Sequence, residues 1–290
     1  MADEGLRRQE GATSTRWYAP HEKSTAQRCF FFDRKNALMD ILLVSLMSAL
    51  AGFVDAVVGG GGLILVPALF AAYPTAHPAS LLGTNKSASV WGTLFAAWQY
   101  NRRVTLAWRA LLWASLVAFA GSWAGAYLLT LVSPYYLRQA LPAVLIALLV
   151  YTLWHKQLGQ SHAPRFQARQ QAVYMALIGG AIGFYDGFFG PGTGSFLVFL
   201  LVRVLGFDFL HASAHSKVMN LSSNLAAVIL LSWQGHVWWH IGIPLALANV
   251  AGSLLGSRMA LKHGAVFVRW LFILVVAALA LKTARDAWFV

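Results

Sequence analysis

A chain of 290 residues that is 58% hydrophobic, 13% aromatic and only 11% charged, with a mean hydropathy of +0.60, has more apolar surface than a water-soluble core of this size encloses. Its formal net charge of +12 does not mark a nucleic-acid partner, because the bases are scattered between hydrophobic segments instead of forming a stripe. Composition places the chain in a lipid bilayer as an all-α polytopic membrane protein and leaves no room for a second, soluble domain.

Residues 1–36 are polar and hold Asp3, Glu4, Glu10, Glu22 and Asp33, half of the ten acidic residues. They read as a disordered tail, without the apolar run or small-residue cleavage site of a signal peptide. Cys29 is the only cysteine, which excludes intrachain disulfides, thiolate metal clusters and two-cysteine redox chemistry. Each crossing of the hydrocarbon layer needs about 20 apolar residues, so the remainder holds roughly eight to ten membrane segments. These divide into a first transmembrane repeat at 37–154, a basic loop at 155–171 and a second repeat at 172–290. Short basic loops, with Arg102, Arg103 and Arg109, then Lys156, Arg165 and Arg169, then Arg258, Lys262 and Arg269, are of the kind that stay in the cytoplasm.

The repeat is read from one fixed offset. At 131 residues, Gly52 matches Gly183, Asp55 matches Asp186, Lys86 matches Lys217, Gly125 matches Gly256 and Arg138 matches Arg269. Leucines pair by chance in such sequence; two Asp and two Lys inside hydrophobic segments do not. The pattern predicts two tandem homologous repeats of four to five membrane segments.

Each repeat opens with an apolar stretch broken by glycine: GFVDAVVGGGG in the first and GFYDGFFGPGTG in the second. Four consecutive glycines, Gly59 to Gly62, do not sustain a helix, and Pro191 removes a donor in the second copy. A break here is either an interrupted helix or a tight turn between two ordinary ones. Breaks at matching places in two transporter halves point to a substrate site, and helix starts after Gly62 and Gly194 would present N–H groups to an anion. Candidate substrate-binding residues at the breaks are therefore Gly59, Gly60, Gly61, Gly62, Gly190, Gly192, Thr193 and Gly194.

The ionisable residues within the apolar region are Asp55 and Lys86, then Asp186 and Lys217. A charge at membrane depth costs at least about 2.5–3.5 kcal/mol, so it is paired or functional. Two readings stand: each Asp pairs with a Lys and pins helices, or the lysines hold substrate charge and an Asp carries a coupling ion. Asn85, Ser216 and Asn220 neighbour the lysines as further candidates, and Ser89, Thr93 and Asn224 extend the polar stripe at helical spacing. The stripe fits a pore lining or interhelical hydrogen bonding. Gly121/Gly125 and Gly252/Gly256 are small-xxx-small packing patterns. Asp208, His211 and His215, and His236 with His240, have spacing compatible with metal ligation, but neither set is duplicated; no metal site or cofactor is expected.

These strings resemble a known family. GFVDAVVGGGGLILVPAL, LLGTNKSAS, GFYDGFFGPGTGSFLVF and HSKVMN are similar to motifs of the TauE/SafE sulfite exporter family, also called the four-toluene sulfonate uptake permeases, and to its less-characterised bacterial permease branch. The resemblance covers nearly the whole chain after the tail. It implies a permease in a bacterial inner membrane for sulfite or another sulfur-containing, organosulfonate or carboxylate anion, and it fixes neither substrate nor direction.

Counting each glycine-broken stretch as one crossing gives eight segments, parallel repeats and an inside tail, with the basic loop at 258–269 misplaced. Counting each as two gives ten, inverted repeats and an outside tail, with all three basic loops in the cytoplasm and the basic tail misplaced. The expected partners are a small anion, the bilayer and a coupling proton or sodium ion. A secondary transporter accounts for duplication, breaks and charges together; an anion channel and an intramembrane enzyme are the alternatives. No Walker motif supplies ATP-driven pumping.

Overall fold

The structure is a computed structural model that describes residues 22–132 and 165–263, with side chains from Met39 onward. The chain divides between Met39 and Asp40 into two compact units. The first is helical from Glu22; the expected tail falls outside the described residues up to position 21, as do Lys156 and Arg269. Among the described residues there are eight helices and no strand: α1 (Glu22–Val58), α2 (Gly62–Ala72), α3 (Pro78–Asn101), α4 (Trp108–Leu131), α5 (Ala168–Phe188), α6 (Thr193–Leu205), α7 (Phe209–Trp233) and α8 (Trp239–His263).

Local chemistry sets these limits. α3 starts with Pro78 at its first turn, where no N–H is needed, and His77 Nδ1 accepts from Ala79 N at 3.2 Å. Asp208 caps α7 by accepting from His211 N at 2.7 Å. Gly206, in the left-handed region at φ 75°, ends α6. The starts of α2 and α6 fall at 62 and 193, those of α3 and α7 at 78 and 209, and those of α4 and α8 at 108 and 239, each pair 131 apart.

Polarity is distributed inside out. Leu42, Leu43 and Leu46 on one side of α1, Trp113 and Leu116 on α4, and Leu247 and Leu255 on α8 are exposed, while Ser48, Asn85, Lys86, Asp186, Lys217, Asn220 and Asn249 are buried. Water would penalise that arrangement; lipid favours it. Met39–Val58, Trp108–Leu131 and Trp239–Lys262 are long and apolar enough to cross a bilayer. α3 and α7 are long enough as well, but they carry the polar stripes.

Helix pairs pack backbone to backbone. Gly121, Gly125, Gly183 and Gly187 leave α4 and α5 in direct backbone contact, and Gly52, Gly252 and Gly256 do so for α1 and α8. The small-xxx-small patterns are packing surfaces. Ser122 Oγ donates to Ser223 O at 2.6 Å and Ser253 Oγ to Gly92 O at 2.6 Å, tying these pairs to the central helices.

Helix direction follows from the ends. Ser80 of α3 meets His236 just before α8, and Gln99 near the end of α3 meets Ser257 near the end of α8, so the two run parallel. Parallel α3 and α8 exclude the eight-segment count, in which they oppose. α1 runs the same way as α8, with Ser48 on Leu245 and Gly256 on Phe53. α2 then turns back: Tyr73, just beyond it, packs on Trp238 with ring centroids 5.5 Å apart. Burial, and then the charge of Asp40, raises the Tyr73 hydroxyl above its usual range, which places Tyr73 near Asp40 of α1. α5 and α6 form a second hairpin from the other side, where Arg165 N donates to Leu205 O at 3.0 Å. The expected glycine breaks are present, and at each one the chain reverses.

Charge separates the two ends of the bundle. Apart from the buried Lys86 and Lys217, every Lys and Arg at 40–132 and 165–263 lies at the end where α3 and α8 finish and α4 and α5 start: Arg102, Arg103, Arg109, Arg165, Arg169, Arg203, Arg258 and Lys262. The opposite end has His77, His236 and His240. The His77 and His236 rings stack at 5.3 Å. Burial, and then His77, lowers the His236 value below the usual one, which favours the neutral ring.

Candidate functional site

The two hairpins enter from opposite ends and their tips meet. Gly59 ends α1 at φ 81°, a backbone region that only glycine adopts without strain, and Gly190 takes φ 94° after α5. Ser195 N donates to Gly59 O at 3.0 Å, and Ser195 Oγ donates to Val58 O at 2.9 Å. Tyr185 Oη locks the second tip by donating to Pro191 O at 2.6 Å.

Beside the tips, α3 and α7 bring their lysines to the centre, and each lysine pairs with the aspartate of the other half. Lys86 Nζ donates to Asp186 Oδ1 in a buried salt bridge. Lys217 Nζ reaches Asp55 Oδ2 at 3.1 Å and also donates to the Asp55 carbonyl. Asp–Lys pairing is one of the two readings that the sequence supports, and the sequence does not specify the partners.

The two pairs are not equivalent. The Asp186 side chain is 1% exposed and is held by three side chains, since Thr193 Oγ1 lies 2.6 Å from Oδ1 and Ser223 Oγ donates to Oδ2 at 2.7 Å. Asp55 is 15% exposed, and beyond Lys217 its carboxylate receives only a long bond from Gly61 N at 3.4 Å. At the repeat offset Thr193 corresponds to Gly62 and Ser223 to Gly92, which have no hydroxyl to offer.

A cleft of about 20 Å³ opens between these groups, room for about one water molecule. Of the sequence candidates it is lined by Asp55, Gly59, Gly62, Asn85, Lys86, Asp186, Gly190, Thr193, Gly194 and Asn220, with Ser89 and Asn224 of the polar stripe. Asn85 Oδ1 is buried with no hydrogen-bond partner. Gly60, Gly61, Gly192, Ser216 and Lys217 do not line it. Gly60 and Gly61 sit in the first tip, Gly192 caps α6 from the left-handed region, Ser216 Oγ donates to Ser213 O of its own helix at 2.9 Å, and Lys217 stands behind Asp55. Sequence reasoning misses Ser223 because its offset partner is a glycine, so the duplication conceals it.

The histidine sets have structural partners. Asp208 Oδ2 lies 2.7 Å from His211 Nδ1 while its other oxygen caps α7, and His215 accepts from Ala107 N at 3.2 Å. His236 stacks on His77, and His240 lies 6.5 Å from Trp238. No group of three or more His, Cys, Asp or Glu placed to hold a metal occurs among the described residues.

An inside-out helical bundle, two hairpins meeting at their tips and a charged, polar centre define a polytopic membrane transporter. A family model described as Sulfite exporter TauE/SafE matches residues 44–283, and the chain belongs to that family. It is 36% identical over 242 residues to "Probable membrane transporter protein YfcA" of Escherichia coli strain K12, covering 83% of this chain and 88% of that one. It is 34% identical over 240 residues to "Probable membrane transporter protein" of Haemophilus influenzae, covering 82% and 92%. It is 37% identical over 238 residues to "Probable membrane transporter protein ORF9" of a Sinorhizobium species, covering 82% and 89%. No solved structure matches. The protein is a multi-pass transporter of the bacterial inner membrane for a small molecule.

Proposed function

We propose that this chain is a secondary transporter for a small anion, sulfite or another sulfur-containing, organosulfonate or carboxylate anion, driven by a proton or sodium gradient. The observation that carries this reading is the pair of cross-half Lys–Asp bridges on a polar cleft at the hairpin tips. A substrate anion takes the place of an aspartate on its lysine. The displaced carboxylate is then buried without a counter-charge, which is costly, and a cation taken up with the anion removes that cost. Coupling follows from charge balance.

The lopsided ligation assigns the roles within this reading. Lys86–Asp186, braced by Thr193 and Ser223, is the fixed pair; Lys217–Asp55 is the one that opens, and Asp55 takes the coupling ion. The unpartnered Asn85 Oδ1 is a contact for a protonated anion or its water. The family name and the relatives' names support transport, and the water-sized cleft favours a carrier that rearranges over an open channel.

The test is uptake and counterflow of sulfite, thiosulfate, sulfoacetate and a control carboxylate in proteoliposomes, with and without imposed proton and sodium gradients. One sulfur anion or carboxylate saturates, and Lys86→Ala and Lys217→Ala each slow it about a hundredfold, the usual order for removing one partner of a buried pair. Failure of every anion to move, or normal rates in both variants, would sink the substrate class. Indifference to both gradients would remove the coupling.

A further inference from the structure

The bases at the ends of α3 and α8 converge on one cavity. A cleft of about 780 Å³ is lined by Trp98, Gln99, Arg102, Arg103, Arg258 and Lys262, together with Leu261, a size ordinary for a ligand site. Among the described residues no carboxylate lines it. Among the described residues at that end, the acidic side chain Asp208 is engaged with His211. Four cations thus share a cavity whose described lining holds no acid to balance them. The site is also ordered: the Arg102 guanidinium sits 4.9 Å from the Trp98 ring centroid, and Ser257 Oγ holds Gln99 Oε1 at 2.8 Å.

Loop charges that only set topology need not converge, nor adjoin anything apolar. Here both helices lead into the cleft along an exposed apolar track. On α3, Trp91, Leu94, Phe95 and Trp98 are exposed at helical spacing and lead to Arg102; on α8, Leu255 is exposed one turn before Arg258. Cations at the end of a lipid-facing apolar track match an amphiphile with an anionic head, whereas a free anion would use the cations alone. The basic end is also the end that stays in the cytoplasm, and basic pockets between helices on that side suit anionic lipid heads.

We infer that the cleft between the ends of α3 and α8 binds the phosphodiester headgroup of an anionic phospholipid from the inner leaflet, with one acyl chain along Trp91–Trp98. Arg102 and Arg258 offer the planar guanidinium forks that suit a phosphate.

The test titrates the full-length protein in neutral detergent with phosphatidylglycerol, phosphatidylcholine or inorganic phosphate and counts retained lipid by native mass spectrometry. Phosphatidylglycerol is retained in preference to phosphatidylcholine, and inorganic phosphate at matched concentration does not displace it. In Arg102→Gln/Arg258→Gln/Lys262→Gln affinity falls about a hundredfold or more, at about 1 kcal/mol for each charge near the surface. A second measurement tolerates a poorly folding triple variant: phosphatidylglycerol brominated on its acyl chains quenches wild-type fluorescence more than brominated phosphatidylcholine, and Trp91→Phe/Trp98→Phe removes most of that excess. Equal retention of the two lipids, unchanged affinity in the triple variant, or an excess that survives Trp91→Phe/Trp98→Phe overturns the proposal. Displacement by inorganic phosphate overturns it in favour of a site for soluble anions.

Discussion

Lys86→Met alone destabilises the protein by about 3–5 kcal/mol, and Lys86→Met with Asp186→Leu recovers most of that loss while transport stays absent. The single change leaves Asp186 without its counter-charge at 1% exposure, with Thr193 and Ser223 hydroxyls as its remaining donors. Two hydroxyls do not balance a buried charge. The double change removes both charges and leaves no stranded hydroxyl, because Thr193 Oγ1 already lies 2.7 Å from Gly190 O and Ser223 Oγ 3.1 Å from Asn220 O. Buried ion pairs replaced by apolar residues are often neutral or better for stability, so the pair is kept for what it does. The same experiment on Lys217 and Asp55 gives a smaller single-site loss, since Asp55 is 15% exposed and water screens it. Equilibrium unfolding in detergent, run beside uptake on the same preparations, reads both properties. A double variant as unstable as the single one would show that the bridge is not simply charge compensating charge; one that transports would show that transport does not need the fixed Lys86–Asp186 pair.

Much of this was legible from rare residues in the wrong solvent. Two Asp and two Lys in apolar sequence, repeated at one offset, located the centre of the molecule before any helix was placed, because burial makes such residues expensive and therefore informative. The glycine runs located the tips, since no helix tolerates Gly59 to Gly62 in its interior. Helix direction was not legible: nine or ten apolar residues after a glycine break suit a continued crossing as well as a return, and only the contacts of Tyr73 and Arg165 distinguish them. Nor was the exchange of partners, because sequence spacing says nothing about which half supplies the counter-charge. The bracing of Asp186 by Thr193 and Ser223 escaped for the reverse reason. Duplication points to what the halves share, and at those two positions they differ.

Gly59→Ala removes transport and costs about 2–5 kcal/mol, more than its conformation alone explains. An alanine at φ 81° costs about 1–2 kcal/mol. Its Cβ would also overlap the backbone of Gly194, and it would lie 2.6 Å from Ser195 N, the donor to Gly59 O. Overpacking of that kind costs roughly another 1–3 kcal/mol. Two controls separate the terms. Gly235 has φ 75° with nothing within 4 Å of where a Cβ would stand, so Gly235→Ala has the conformational cost alone and keeps transport. Gly194 is helical, with a Cβ that would sit 2.7 Å from Gly59 O, so Gly194→Ala has the contact cost alone and loses transport. If Gly235→Ala proves as damaging as Gly59→Ala, backbone strain accounts for both and the meeting of the tips has no separate role. If Gly194→Ala transports normally, the tips need not touch, and the cleft between the two ion pairs is not where the halves of the protein are coupled.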